Sequence, residues 1–221
     1  MDDLGNQLTY WDTAGATKTF THPVVPAWLD RLAPGARILD YGCGYGRVMA
    51  GLAGQGYTSV HGVDISPALI ARGRTLHPGL DFAVLEHPPA VPAPPASFDA
   101  VLLLAVLTCV PDPGAQQALV AEVSRLLVPG GLLYVSDLLI AADERNRERY
   151  AAAPGDLPYG VFTTADGAVC RHHDPEALRA LLSGNGFDIA AEHRLDVATM
   201  NGNRSPAIQF LARRRDGEKV G

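Results

Sequence analysis

A glycine-rich turn directly behind an acidic residue is the sequence feature with the clearest chemical meaning. The segment 39–46 reads LDYGCGYG, so that an apolar run ends in Asp40, and Gly42, Gly44 and Gly46 follow at every second position. Glycine allows a sharp turn and lets a ligand approach the backbone closely. A tight strand-to-helix turn also needs glycine for steric reasons, so the turn alone is weak evidence of binding.

A second acidic residue, Asp64, turns this pattern into a candidate nucleoside site. Asp64 ends the next apolar run, about 20 residues further on, where an acid accepts hydrogen bonds from ribose hydroxyls. A dinucleotide site usually has no carboxylate directly before the turn, because pyrophosphate binds helix N–H groups there. Asp40 therefore favours a nucleoside that carries an amino group and no phosphate.

Alternating strands and helices are predicted to position these acids. From residue 36, short apolar runs alternate with helical patterns, which is typical of a parallel sheet covered by helices. The predicted strands are 37–40, 60–64, 80–85, 98–105, 132–136, 187–197 and 208–211. The predicted helices are 48–53, 67–75, 114–127, 143–150 and 175–182, with loops at 88–95 and, as an irregular stretch, at 154–167.

At these residues the chain resembles the class I S-adenosylmethionine-dependent methyltransferases. The similarity covers residues 36–137 and includes the glycine turn, Asp64, Phe98-Asp99 at the fourth strand and the segment 127–131 before the fifth. The resemblance implies an α/β, Rossmann-like class I methyltransferase fold: a seven-stranded, mostly parallel sheet with helices on both faces and an N-terminal helical cap. It implies S-adenosyl-L-methionine as cofactor and S-adenosyl-L-homocysteine as product, and it leaves the acceptor open.

The length and composition limit the protein class. A chain of 221 residues with 47% hydrophobic and 19% charged residues is typical of one soluble globular domain. We expect a cap at 1–33, a cofactor-binding core at 36–137, an insert over the active face at 141–173 and closing elements at 174–213. The net charge of −6 disfavours a nucleic-acid partner. Three cysteines without zinc spacing, no leader pattern and no long apolar run predict a cytoplasmic protein with no membrane segment and no metal site.

The resemblance also implies cofactor contacts outside the glycine turn. Ile65 follows the ribose-binding acid, and Glu86 stands after the third strand, where many members carry an aspartate that contacts adenine. A solvated loop acid is the alternative for Glu86. Ala105 and Thr108 follow the fourth strand, in the segment that lies beside the sulfonium in the family, and packing alone is their alternative role.

The N-terminal segment is dense in aromatic, basic and hydroxyl residues. Trp11, Lys18 and His22 precede the first strand, and in small-molecule methyltransferases, which the chain resembles, a helical cap closes over the cofactor. An aromatic ring there attracts a sulfonium by a cation–π interaction. We expect these three residues to contact the cofactor; a cap that only packs on the sheet edge is the alternative.

Candidate catalytic residues lie in the second half of the chain. A neutral imidazole is a natural general base, which makes His172 or His173 a candidate, and adjacent side chains on an extended segment point to opposite sides. Asp137 ends the fifth strand, where open α/β sheets place reactive groups. Tyr159 lies in the insert, and Asn201 in an Asn-Gly turn that either reaches the active face or only reverses the chain.

Three functions remain open on the sequence. The first is methyl transfer from S-adenosylmethionine to a small-molecule nucleophile, a metabolite or a natural-product intermediate, by a monomer or homodimer. The second is intramolecular cyclisation of S-adenosylmethionine to azetidine-2-carboxylate with release of methylthioadenosine, with polar groups such as Asp137, His173 and Asn201 at the amino-acid end. The third is a non-catalytic binding module that acts through a partner protein.

Overall fold

A seven-stranded sheet with helices on both faces forms the centre of the fold in a computed structural model, which describes residues 3–153 and 157–216. The strands are β1 Ile38–Tyr41, β2 Val60–Asp64, β3 Asp81–Val84, β4 Phe98–Leu104, β5 Leu127–Leu138, β6 Val161–Thr163, β7 Val169–Arg171, β8 Phe187–Ala198 and β9 Arg204–Arg214. The order in the seven-stranded sheet is β3-β2-β1-β4-β5-β9-β8, with parallel pairing from β3 to β5 and antiparallel pairing at β9 and β8. The predicted mostly parallel sheet is confirmed.

Four of the helices in the described ranges begin at residues whose side chains cap them. The helices are α1 Asp3–Asp12, α2 Pro26–Leu29, α3 Arg47–Gly54, α4 Pro67–Leu76, α5 Pro113–Leu126, α6 Glu144–Ala151 and α7 Pro175–Gly184, with a short 3-10 helix at Leu107–Cys109. The side chains of Ser66, Asp112, Asp143 and Asp174 each accept a hydrogen bond from a backbone N–H in the first turn of a helix. None of the helices in the described ranges is long and apolar enough to span a membrane.

The core forms two layers because successive strand residues point to opposite faces of the sheet. On one face, Val101 and Leu103 of β4 pack with apolar residues of α5 and α7. On the other face, Ala100 and Leu102 pack with residues of α2, α3 and α4. Both faces of the central strands are therefore buried, which explains the continuous apolar runs in the sequence.

The order of the strands creates a crevice at the carboxyl ends of β1 and β4. The chain passes from β1 outward to β2 and β3, then returns to pair β4 with the other side of β1. In open α/β sheets, ligands bind where the direction of winding reverses in this way. The crevice brings the turn after β1 next to the segment after β4, and Val106 packs where a side chain at Gly42 would otherwise lie.

Three elements differ from the prediction. The predicted irregular stretch contains β6 Val161–Thr163, which pairs with β7 Val169–Arg171 as a two-stranded hairpin; residues 154–156 lie outside the described ranges. β5 begins at Leu127 because Leu127 pairs with Phe98 before a bulge, although the Pro-Gly-Gly that follows indicates a turn. β9 is longer than predicted because it pairs with both β5 and β8.

Leu102 provides a test of the two-layer core. Its side chain is fully buried in the middle of β4, so Leu102→Ala should leave a cavity and lower the free energy of unfolding by about 2–5 kcal/mol. Leu76 at the end of α4 is half exposed, and Leu76→Ala should change the free energy of unfolding by less than about 0.5 kcal/mol. Urea denaturation measures both variants, and similar losses would contradict this description of the core.

Candidate active site

The glycine turn brings the backbone of the segment after β1 against the N-terminal segment. Gly42 and Gly44 have φ angles of 76° and 55°, in the left-handed region that favours glycine. A Cβ on Gly44 would overlap the ring of Phe20, so only glycine permits this approach. The backbone N–H of Phe20 donates to the hydroxyl of Tyr45 at 3.1 Å, which further joins the N-terminal segment to the turn.

Two buried carboxylates flank the turn. Asp64 accepts hydrogen bonds from the backbone N–H groups of Gly44 and Ser66, at 2.8 and 2.9 Å. Burial raises the pKa of Asp64 to about 6, although these hydrogen bonds lower it. Burial raises the pKa of Asp40 to about 7, against the positive charge of Arg47, which lowers it. A cation bound near Asp40 would therefore be stabilised by this carboxylate, whose negative charge is otherwise balanced mainly by Arg47.

A cavity of about 370 Å³ opens above the carboxyl ends of the strands. Its walls come from α1, the glycine turn, the segment after β4, the hairpin and the β8–β9 turn. The predicted site residues that line it are Trp11, His22, Asp40, Gly42, Asp64, Ile65, Ala105, Thr108, His172 and Asn201. The structure thus brings together residues that are separated by up to 190 positions in the chain (11 to 201).

The N-terminal cap is fastened across this cavity to the hairpin. The side-chain amide of Gln7 donates to the carbonyl of Val169 at 2.6 Å, and the hydroxyl of Tyr10 donates to Asp166 at 3.1 Å. Lys18 pairs with Asp166 at 2.7 Å and donates to Oδ1 of Asn201 at 2.8 Å. Lys18 itself does not line the cavity; it links the cap to the hairpin and to the β8–β9 turn.

The adjacent histidines face opposite sides, as predicted, and only His172 lines the cavity. The Nη2 of Arg149 lies 3.4 Å from its Nε2, and the hydroxyl of Tyr150 lies 2.7 Å from its Nδ1. Because a guanidinium only donates, Nε2 accepts in this arrangement and Nδ1–H donates to Tyr150. Burial, and then the charge of Arg149, lowers the pKa of His172 to about 3, so its imidazole is neutral near pH 7.

His173 and Asp137 lie behind the cavity wall, which corrects the expectation that they contact an acceptor. His173 Nε2 is 3.7 Å from an Asp137 oxygen, and both side chains are fully buried. Asp137 accepts from the backbone N–H groups of Thr108 and Leu138, at 3.1 and 2.8 Å. Thr108 and Leu138 line the cavity, so Asp137 holds its wall from behind. Burial raises the pKa of Asp137 to about 7 and lowers that of His173 to about 3.

Four further predicted residues do not line the cavity. Tyr159 is 61% exposed and packs on the outer side of Tyr150, with ring centroids 5.2 Å apart, because it precedes the hairpin on its solvent side. Glu86 is exposed in the loop after β3, where Leu85 faces the cavity instead. Gly44 and Gly46 lie in the turn itself, where a Cβ atom would overlap the rings of Phe20 and Phe82, respectively.

Sequence reasoning missed three cationic residues among the described residues that line the cavity, Arg47, Arg145 and Arg149. Arg47 is the first residue of α3, and its Nη2 donates to the carbonyl of His22. Among the residues that the structure describes, Nε of Arg47 and Nε2 of His22 are buried without a hydrogen-bond partner. The position directly after Gly46 is the signal that could have identified Arg47, because the residue that opens such a helix points back toward the turn.

Comparison with known proteins agrees with this geometry. The sequence model of the family described as "Methyltransferase domain" matches residues 18–192. The chain belongs to this family. A crystal structure of a SAM-dependent methyltransferase from Methanosarcina mazei superimposes with a TM-score of 0.82 at 26% identity, over 88% of this chain and 99% of that one. The predicted family and its cofactor, S-adenosylmethionine, are therefore confirmed.

Curated relatives match a shorter part of the chain. A ubiquinone biosynthesis O-methyltransferase from Xylella fastidiosa (strain 9a5c) is 37% identical over 138 residues, which cover 58% of this chain and 54% of that protein. A protein of the same name from Thiobacillus denitrificans is 33% identical over 153 residues, which cover 65% and 62%. The chain thus spans only about half to three fifths of the length of these relatives.

The polar groups of the cavity fit the parts of S-adenosylmethionine. Asp40 and Asp64 line the cavity; the carboxylate of Asp64 would suit ribose hydroxyls and that of Asp40 an ammonium group. The unpartnered nitrogens of Arg47 and His22 suit a carboxylate, since a buried donor without an acceptor is costly. One cavity therefore carries the charges that an amino acid joined to a nucleoside requires.

The pKa of Asp40 predicts a pH-dependent affinity for S-adenosylhomocysteine, which carries the same amino group. A pKa raised to about 7 means that the carboxylate is protonated below that pH, so affinity should rise about tenfold between pH 6 and pH 8. Asp40→Asn should bind more weakly and lose this rise, whereas Asp30→Asn at an exposed site should keep it. Isothermal titration calorimetry measures this, and an unchanged pH profile in Asp40→Asn would contradict the assignment.

Gly44→Ala tests the contact between the turn and the cap. The new methyl group overlaps Phe20, and a positive φ costs a non-glycine residue about 1–2 kcal/mol. The variant should unfold at lower urea concentration and bind S-adenosylhomocysteine more weakly. The matched change Gly51→Ala, in α3 with open space around the site, should be neutral or stabilising. Equal effects at both positions would show that the contact with Phe20 is unimportant.

Proposed function

We propose that this chain transfers the methyl group of S-adenosylmethionine to a small-molecule nucleophile, such as a metabolite or natural-product intermediate. The observation that carries the proposal is the partly covered cavity, whose walls include the cap, the hairpin and the β8–β9 turn. A cavity roofed in this way admits a compact acceptor more readily than a polymer. The net charge of −6 further disfavours nucleic acid.

Arg149, Phe162 and His172 lie together on the cavity wall, and we call this region the acceptor part of the cavity. The walls of the cavity also include the apolar side chains of Val110, Ala115 and Leu119, which suit an acceptor with an apolar body. Apolar walls with a few placed polar groups are typical of small-molecule sites. The curated relatives are named O-methyltransferases, which supports a hydroxyl as the nucleophile.

The protein's contribution would be mainly alignment and exclusion of water. S-adenosylmethionine, when bound, supplies an activated methyl group with a good leaving group. Asp40, Arg47 and Asp64 would fix the orientation of the nucleoside and the amino acid, and orientation of reactants is worth about 7–11 kcal/mol. The cap, tied down by Gln7, Tyr10 and Lys18, would keep water from the reacting atoms. The neutral His172 would accept a hydrogen bond from the acceptor once Arg149 moves off its Nε2.

Mass spectrometry of the nucleoside products tests this function. We expect purified protein to form S-adenosylhomocysteine from S-adenosylmethionine only when a metabolite extract is added, with one metabolite gaining the mass of a methyl group. Methylthioadenosine formed without any acceptor would instead show intramolecular cyclisation. The same extract treated with nuclease and passed through a small-pore filter provides the control, and loss of activity on filtration would contradict a small acceptor.

A further inference from the structure

Arg149 of α6 places a positive charge in the acceptor part of the cavity. It lines the cavity together with Arg145, Phe162 and His172. Its guanidinium stacks on the ring of Phe162, with Cζ 3.6 Å from the ring centroid. Stacking covers a face of the guanidinium and leaves its edge, which carries the N–H donors, for hydrogen bonds in the plane.

The donors of Arg149 are largely unused. Within residues 3–153 and 157–216, Arg149 forms no ion pair, and its buried Nε has no hydrogen-bond partner. Its polar neighbours are the neutral side chains of His172 and Tyr150. Elsewhere, arginines such as Arg125 and Arg179 pair with glutamates at 2.6 Å or closer. Arg149 thus differs from Arg125 and Arg179, whose charges are balanced by glutamates within the fold.

Among the described residues, the charged side chain closest to Arg149 along α6 that also lines the cavity is another cation, Arg145. The Nε of Arg145 lies 3.9 Å from an oxygen of Asp143. The acidic side chains among the described residues of the lining are Asp40, Asp64 and Asp112, and Asp112 caps α5 by accepting from the backbone N–H of Ala115 at 2.6 Å. Burial lowers the pKa of Arg149, which reflects the cost of leaving this cation without an anion.

We propose that Arg149 binds a carboxylate of the acceptor, so that the substrate class is an apolar, hydroxyl-bearing carboxylic acid. This inference rests on the proposed function and narrows it. The planar guanidinium matches the two coplanar oxygens of a carboxylate. Phe162 holds the guanidinium plane, Arg145 adds positive charge, and His172 lies beside the bound acid.

Binding of matched acids and amides tests the proposal without a known acceptor. Calorimetry in saturating S-adenosylhomocysteine would compare benzoate with benzamide, cinnamate with cinnamamide and indole-3-acetate with indole-3-acetamide. Charge-assisted hydrogen bonds predict that at least one acid binds about ten- to hundredfold more tightly than its amide. Arg149→Ala should abolish this preference, and Arg149→Lys, which keeps the charge without the fork, should retain part of it.

Arg147→Ala is the matched control, because Arg147 is an exposed arginine on the same helix and does not line the cavity. This variant should keep the full preference for acids. A thermal unfolding curve for each variant shows whether it is folded. If a variant at position 149 is not folded, Arg149→Gln is measured in its place. Equal affinities of acid and amide in all three pairs, or a preference that survives Arg149→Ala, would overturn the proposal.

Two further outcomes separate this proposal from others. Tighter binding of phenyl phosphate than of benzoate, lost in Arg149→Ala, would overturn the carboxylate in favour of a phosphate. If the extract experiment identifies a methylated metabolite without an acidic group, the carboxylate proposal fails while the small-molecule function stands. If filtration removes all methyl-acceptor activity, the proposed function fails regardless of the acid and amide affinities.

Discussion

The hydrogen bond from the backbone N–H of Gly44 to the Asp64 carboxylate, at 2.8 Å, holds the glycine turn on which the cavity depends. It links the turn after β1 to the end of β2, and a second bond, from Ser66 N–H, holds the same carboxylate at the start of α4. The turn can adopt this geometry because Gly42 and Gly44 have positive φ angles. The position of Phe20, and with it the cap, depends on the same turn.

Unbalanced charge is the second property of the cavity. Asp40 is buried with a raised pKa, while Arg47 and Arg149 have buried Nε atoms that lack partners in the described part of the chain. Each of these groups costs free energy in the absence of a ligand and would be compensated by an opposite charge. The cavity therefore favours ligands that bring a positive charge to Asp40 and negative charges to Arg47 and Arg149.

The closure of the cavity comes from side chains that are far apart in sequence. Gln7, Tyr10 and Lys18 contact the hairpin and the β8–β9 turn, and these contacts partly cover a space that the sheet alone leaves open. The glycine turn and strands β1 to β5 lie within residues 18–192, which the family model matches. Specificity for the acceptor would then depend on α6 and the hairpin, since these elements carry Arg149 and Phe162.

The parallel sheet, several helix starts, the glycine turn and its two acids can be predicted from local patterns, because hydrophobic periodicity, capping residues and glycines act within a few neighbouring residues. Which candidate residues lie together depends on long-range packing. In the structure, His172 and Arg149 line the cavity. His173 and Asp137 are buried behind its wall, and Tyr159 is exposed outside it. These outcomes depend on how the hairpin packs against α1 and the short 3-10 helix, through contacts between residues that are distant in the chain, and no local pattern encodes them.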